Sequence, residues 1–347
     1  MLKRFFLYTI VAALSIAAGC GLASAADPAA PRAVLNRDYL PAVLDMIGSA
    51  KKTIQVIQYE YVDYGAVRQI EAVLAAAVGR GVSVRMILDD TVKSTRRSIA
   101  RLQKKGMDVK LDETAEYGKP GDKTTHAKAI LVDGQKLMIG STNWSDKSIS
   151  DNNESDVLLN DPVIGKKFSG YFDQIWNNAF REPAIPPPSG ASTDVMFNRQ
   201  YLPTVLRLFQ AAHRRIYVVL YGIKIGGEKT SVGRLLGELK QAQARNVDVR
   251  IILDQSTGEF SDKTTEFNEE AKDYFNAAGI ACRLDTKEII THAKILIVDG
   301  AAVVGGTNWG HGPLDQYNDC NVILKNSATV EPFASAFLSL WNGAPRF

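Results

Sequence analysis

The chain has 347 residues, 46% of them hydrophobic, enough for one large core or two of ordinary size. Its 41 Lys and Arg against 38 Asp and Glu give a formal net charge of +3. Lys3 and Arg4 lie in an N-terminal stretch without acids, so the remainder is close to balance. That excludes a protein holding nucleic acid or anionic membrane by bulk charge alone.

The chain opens as an export signal. "MLKR" is a positive start, "FFLYTIVAALSIAA" an apolar run of signal-peptide length, and Ala23-Ser24-Ala25 a small-residue cleavage site. Residues 1–25 are therefore expected to be a signal peptide, and the mature protein periplasmic or secreted. Cys20 after "IAAG" offers lipoprotein processing as the alternative. The apolar run is too short and Ala-rich for a permanent span.

The following elements come twice. "LNRDYLPAVLDMI" (Leu35 to Ile47) matches "FNRQYLPTVLRLF" (Phe197 to Phe209), and "VSVRMILDD" (Val82 to Asp90) matches "VDVRIILDQ" (Val247 to Gln255). "QIWNNAFR" (Gln174 to Arg181) matches "SLWNGAPR" (Ser339 to Arg346). The nearly constant offset marks a domain-sized duplication. It predicts repeats over 32–180 and 193–347, joined by the Pro-rich segment 181–192, whose prolines forbid regular structure.

Each repeat reads as an amphipathic helix, an apolar strand ("TIQVIQYEY", "RIYVVLYGI"), a long helix (Ala66 to Arg80, Val232 to Arg245) and a second strand. A further helix and strand, a hairpin, a last strand and a closing helix follow. The predicted class is α/β: two tandem α/β/α sandwiches, associated in a two-fold-like way. In the first repeat the third helix is the basic stretch Lys93 to Gly106, with Ile99 and Leu102 inward; it is a solvated face or a contact for phosphates.

The hairpins carry the chemistry. "THAKAILVDG" (Thr125 to Gly134) and "THAKILIVDG" (Thr291 to Gly300) each end in Asp-Gly, a strong hairpin signal. His126 and Lys128 are two apart and project from one face of a strand, as do His292 and Lys294. The return strands lead to "GSTNW" (Gly140 to Trp144) and "GGTNW" (Gly305 to Trp309), where small residues let a ligand approach the backbone. Pooled, the two copies offer two imidazoles, two ammonium groups, the Asn143 and Asn308 amides, and the hydroxyls of Ser141, Thr142 and Thr307. Lys and Asn donate to non-bridging phosphoryl oxygens without a metal. One neutral imidazole can attack phosphorus while the other, protonated, serves the leaving alkoxide. One histidine cannot do both in one step, so the two repeats are expected to supply one site.

"HAKAILVDGQKLMIGSTN" fits His-x-Lys-x4-Asp-x6-Gly-Ser-x-Asn and so resembles the phospholipase D superfamily. "HAKILIVDGAAVVGGTN" resembles it with a spacer one residue shorter after Asp299 and with Gly306 in place of Ser. The resemblance covers both repeats. It implies the phospholipase D-like fold, one shared site and metal-independent phosphodiester cleavage without a cofactor. It adds Asp133 and Asp299 to the histidines and lysines as catalytic residues, although an Asp at a hairpin also serves the turn itself. It further implies an acid that orients each histidine, matched by Glu154 and Asp319, with His126 the nucleophile and His292 the acid/base. The activity implied is hydrolysis of a glycerophospholipid to phosphatidic acid and a free alcohol, by a monomer acting peripherally on membranes. The alternatives are an exported, sequence-nonspecific endonuclease, with nucleic acid as substrate, or a phosphatidyl transferase.

Other residues carry weaker signals. Tyr59 and Tyr221 occupy equivalent strand ends and are read as core, with a place beside the site as the alternative. His213 reads as a solvated helix end, His311 as a candidate pocket residue, and Lys119 and Lys123 as a positive rim. Cys282 and Cys320 are read as two separate buried thiols, with a disulfide as the alternative in an oxidising compartment.

Overall fold

The computed structural model describes residues 30–112, 124–177, 185–256 and 262–347. The expected signal segment, the first part of the linker, Lys119 and Lys123 lie outside the described residues. The first half runs β1 (Arg32–Leu35), α1 (Tyr39–Ser49), β2 (Thr53–Gln58), α2 (Ala66–Gly79), β3 (Ser83–Leu88), α3 (Lys93–Lys104) and β4 (Asp108–Leu111). It continues through β5 (Lys128–Val132), β6 (Lys136–Gly140), α4 (Asp146–Ser150), β7 (Ser155–Asn160) and α5 (Pro162–Asn177). The second half repeats the order with β8 (Thr193–Phe197), α6 (Tyr201–Gln210), β9 (Arg215–Leu220), α7 (Ser231–Ala244), β10 (Asp248–Leu253), α8 (Asp262–Ala277) and β11 (Ala281–Leu284). It closes with β12 (Ile295–Val298), β13 (Ala301–Gly305), β14 (Cys320–Leu324) and α9 (Ser327–Trp341). Ile185 to Ser192 run between the halves without helix or strand.

Each half is built on a seven-stranded sheet. The orders, β1-β7-β6-β5-β2-β3-β4 and β8-β14-β13-β12-β9-β10-β11, are the same topology twice. β2, β3 and β4 are parallel, as their helical crossovers require, while β5, β6, β7 and β1 are antiparallel. Strand alternation then divides the apolar residues between two faces. On β5, Ile130 and Val132 join α1, α2 and α3 in an outer core, whereas Ala129 and Leu131 face inward. On β12, Leu296 and Val298 meet α6, α7 and α8, whereas Ile295 and Ile297 face inward.

The inward faces of both sheets share one central core. Phe168 and Phe172 of α5 and Phe333 and Phe337 of α9 lie within it, fully buried beside Ile57, Leu131, Val219 and Ile297. Burying each such side chain contributes roughly 1.5–3 kcal/mol, so separating the halves would expose a large apolar surface. The halves are therefore one folding body. This is the α/β sandwich repeat expected from the sequence, with the interface as its middle layer.

Cys282 and Cys320 are separate buried thiols. Cys282 lies on β11 and Cys320 on β14, with β10, β9, β12 and β13 between them. Neighbouring strands stand about 4.8 Å apart, so the pair is far beyond the roughly 7 Å Cα separation that a disulfide tolerates. Among the described residues no helix is long and apolar enough to cross a membrane.

Candidate active site

The hairpins place the histidines. β5 and β6 join through Asp133, Gly134 and Gln135, since Val132 pairs with Lys136. β12 and β13 join through Asp299 and Gly300 alone, since Val298 pairs with Ala301. The shorter spacer of the second motif is thus absorbed in the turn. Ala129 pairs with Ile139 and Ile295 with Val304, so the strand ends that lead to the site keep equivalent register.

The turns also settle the position of the motif aspartates. Asp133 and Asp299 adopt left-handed backbone, φ 52° and 51°. The Asp133 carboxylate accepts the backbone N–H groups of Lys51, Lys52 and Thr53 at 2.7–2.9 Å. Asp299 likewise accepts those of His213, Arg214 and Arg215 at 2.9–3.0 Å. Both carboxyls are held below their usual range by these bonds, against the opposing effect of burial. Each sits at the far end of its strand from the histidine and pins the start of β2 or β9. Expected among the catalytic residues, they are turn residues in the structure.

His126 and His292 meet at the interface, and each is held by the other half. His126 Nδ1 lies 3.0 Å from Asp319 Oδ2. His292 Nδ1 lies 3.1 and 3.0 Å from the two oxygens of Glu154. The acids get there because the residue before each one docks on the opposite histidine segment. Asn153 donates its N–H to Ile290 and accepts those of His292 and Ala293 on its carbonyl, at 2.8–2.9 Å. Asn318 donates to Thr124 at 2.9 Å and accepts from His126 and Ala127 at 2.8 and 3.2 Å. The Asn153 and Asn318 side chains bond the Thr291 and Thr125 hydroxyls at 3.0 and 3.2 Å.

Two further carboxylates secure the histidine segments from within each half. Asp89, just after β3, accepts the Thr125 N–H, and Asp254, just after β10, accepts the Thr291 N–H, both at 2.7 Å. Both are fully buried.

Lys128 and Lys294 are buried with the histidines. Each Nζ donates to the carbonyl of its own histidine, His126 or His292. Burial pushes Lys128 down to about 8 and Lys294 to about 7, against the opposing pull of the acids. Lys128 contributes to the lowering of Lys294, so the two ammonium groups share one electrostatic environment. Burial, reinforced by Lys128, takes His126 down to about 3, and burial with Lys294 also lowers His292, against the pull of Glu154. Both imidazoles are therefore neutral near pH 7. Burial alone would raise Glu154 and Asp319, but the partner histidines and nearby lysines take both below the ordinary carboxylate range. An ionised carboxylate on Nδ1 selects the Nδ1–H tautomer and leaves Nε2 as the free nucleophilic nitrogen.

The return loops support this arrangement. Ser141 donates to Glu154 Oε2 at 2.5 Å, and Ser148 donates to Oε1. Thr142 donates to Asp156, and Thr307 accepts from Asn321 at 2.8 Å, so these three expected site hydroxyls brace the loop and the acid. Gly306 has a steric reason: a Cβ there would stand 2.3 Å from Asp319 Oδ1. Asn143 and Asn308 keep amide oxygens with no hydrogen-bond partner among the described residues.

Tyr59 and Tyr221, read from sequence as core, belong to the site. Their ring centroids lie 4.9 and 4.8 Å from His126 and His292, and 4.8 and 5.3 Å from the Lys128 and Lys294 ammonium groups. Tyr317, not singled out in the sequence, stands 6.2 Å from His126; the equivalent position in the first repeat is Asn152, whose side chain bonds Glu154 at 3.3 Å. The available signal was position: Tyr59 and Tyr221 match across the repeats. His311 is exposed and bonds Asp315 and Gln316, and His213 is exposed. Of the cations of α3, Arg96 pairs with Asp90 and Arg101 with Asp63 and Glu71, and Lys105 just after the helix pairs with Glu71. No group of three or more His, Cys, Asp or Glu among the described residues has the arrangement to hold a metal ion.

Two matched sheets, each giving a histidine and a lysine to one interfacial centre, have the arrangement expected of the phospholipase D superfamily. Residues 43–176 and 205–341 both match the family described as "Cardiolipin synthase, PLD-like domain", and the chain belongs to that family. A mitochondrial cardiolipin hydrolase of Chlamydomonas reinhardtii is 30% identical over 139 residues, 40% of this chain and 57% of that protein. The match thus spans little more than half of that relative. The 5'-3' exonuclease PLD3 of Xenopus laevis is 20% identical over 66% of this chain and 56% of its own length. The fold is shared with a crystal structure of the phosphatidylserine synthase of Haemophilus influenzae, TM-score 0.69 at 10% identity, over 88% of this chain and 85% of that one.

Proposed function

We propose that the chain is a phospholipase D, hydrolysing a glycerophospholipid to phosphatidic acid and a free alcohol. The observation that carries this reading is the crossed pairing of His126 with Asp319 and His292 with Glu154 around two buried lysines. Neutral His126 attacks phosphorus through Nε2, and His292, protonated once substrate is bound, gives its proton to the departing alkoxide. The resulting phosphohistidine is opened by water that His292 deprotonates. Lys128, Lys294, Asn143 and Asn308 stabilise the charge on the non-bridging oxygens, so the reaction needs no metal. Both histidines lie in one chain, which suits a monomer working peripherally on a membrane. We also propose export, directed by residues 1–25.

The cardiolipin hydrolase relative favours lipid over nucleic acid. The PLD3 relative, named as an exonuclease, supports a nuclease as the second reading. The test is a side-by-side assay of purified protein on cardiolipin and phosphatidylcholine vesicles and on plasmid and single-stranded DNA, with and without EDTA. Faster release of phosphatidic acid, unaffected by EDTA, is expected. Faster DNA cleavage, or EDTA inhibition reversed by added metal, overturns the reading.

A further inference from the structure

The repeated "NR" of "LNRDYLP" and "FNRQYLP" has no part in the chemistry described so far. Asn36 and Asn198 nevertheless adopt left-handed backbone, φ 53° and 51°, in the tight turns that follow β1 and β8. That conformation is costly for most L-residues and best tolerated by Asn, Asp and Gly. It turns both the backbone and the side chain of each Asn onto one acidic residue. The Asn36 N–H donates to the Glu154 carbonyl at 3.2 Å, and its Oδ1 accepts the Glu154 N–H at 2.9 Å. The Asn198 N–H donates to the Asp319 carbonyl and its Oδ1 accepts the Asp319 N–H, both at 2.9 Å. Both Asn side chains are buried.

The neighbouring arginines hold the same segments two residues earlier. Arg37 donates to the Asn152 carbonyl at 2.6 Å and to that of Asp151 at 2.9 Å, and Arg199 donates to the Tyr317 carbonyl at 2.9 Å. The intervening Asn153 and Asn318 are fixed by the opposite half. Three consecutive residues ending in each acid therefore have their backbone placed from outside.

We propose that Asn36 and Asn198 are positioning residues of the reaction, Asn36 acting through Glu154 on His292 and Asn198 acting through Asp319 on His126. The acid must meet Nδ1 within a few tenths of an ångström to select the tautomer, and its backbone is clamped to that tolerance by a residue with no other polar duty in common between the halves. The effect crosses the interface: each Asn governs the histidine of the half it does not belong to. This inference rests on the proposed catalytic roles of the two histidines.

Asn36→Gly and Asn198→Gly keep the left-handed turn and remove the side-chain acceptor, together with the Asn36 bond to the Phe347 carbonyl and the Asn198 bonds to Asn318 and Tyr171. Asn36→Asp and Asn198→Asp restore the acceptor. Turnover of bis(p-nitrophenyl) phosphate is measured together with the 15N shifts of the two imidazoles, which report the Nδ1–H tautomer directly. The Gly variants are expected to lose roughly tenfold or more in kcat with KM little changed, and the Asp variants to regain part of it. Asn198→Gly should mix the tautomers of His126 and spare His292, and Asn36→Gly the reverse. Folded Gly variants with wild-type kcat and unmixed tautomers overturn the proposal, as does mixing of both histidines by either variant. Absence of turnover by the wild-type protein on this diester and on lipid and DNA would instead strike the catalytic reading, while the tautomer measurement still decides the positioning role.

Discussion

Asp319 Oδ2 lies 3.0 Å from His126 Nδ1, so the imidazole of the first half is oriented by a carboxylate of the second. The carboxylate fixes the tautomer that presents Nε2. Asp319→Asn keeps the shape and loses that selection. The expected result is a fall in kcat of roughly two orders of magnitude or more, with KM near wild type. Steady-state kinetics on a chromogenic diester check it, and a kcat within a few-fold of wild type would dismiss the pairing as catalytically irrelevant.

The two halves hold their acids differently, and the difference is testable as a pair. Ser141 donates to Glu154, whereas Gly306 leaves the space that Asp319 needs. Gly306→Ser alone is expected to displace Asp319 and cost about tenfold or more in kcat. Adding Asp319→Glu imports the Ser–Glu pair of the first half and should recover much of that loss. A double-mutant cycle measures the coupling, and strictly additive effects would show that the positions are independent.

The lysines set the alkaline side of the pH profile. Burial takes Lys128 to about 8 and Lys294 to about 7, so both lose their protons as pH rises through this range in the free enzyme. His126, at about 3, is neutral throughout. Consequently kcat/KM should fall above pH 7–8. Lys294→Arg keeps its charge and is expected to move that limb upward by about one unit or more. A kcat/KM for the wild-type protein that stays level to pH 9.5 would contradict this.

Asp156 provides a stability readout. Burial lifts its carboxyl from 3.8 to about 8, against the opposing Thr142 bond, and its counterpart in the second half is the neutral Asn321. Between these values the folded state keeps the proton that the unfolded state releases. Stability fully present below about pH 4 is thus lost as pH rises towards 8. Asp156→Asn should therefore raise Tm by about 2 °C or more at pH 8. The gain should shrink as pH falls towards 4, and calorimetry across that range decides it; a gain independent of pH would mean that the carboxyl does not titrate as described.

Much of this was legible in the sequence because the duplication printed it twice. The strand and helix order, the hairpins and the shared site follow from matched stretches, and the family resemblance adds Glu154 and Asp319 as the acids without saying which histidine each meets. What stayed hidden depended on long-range contact. Nothing near Glu154 in sequence indicates that its partner is His292 and not His126, because that choice is made by Asn153 docking across the interface. The roles of Tyr59 and Tyr221 were underestimated for a related reason. An aromatic at a strand end is apolar enough for a core, and only the fold shows a histidine and an ammonium group against its ring. The motif aspartates were overestimated because spacing along a strand says nothing about which end of it does chemistry.

The crossing of the acids also bears on how such a chain can change over time. In an assembly of two identical halves, every substitution would enter the centre twice, and a change harmful at one histidine could not be confined to it. Once the halves are joined in tandem, each acid and the residue beneath it can drift alone. The Gly306 and Asp319 pair, one carbon shorter than Ser141 and Glu154 at the acid and one side chain lighter beneath it, is a one-sided difference of the kind a tandem chain permits.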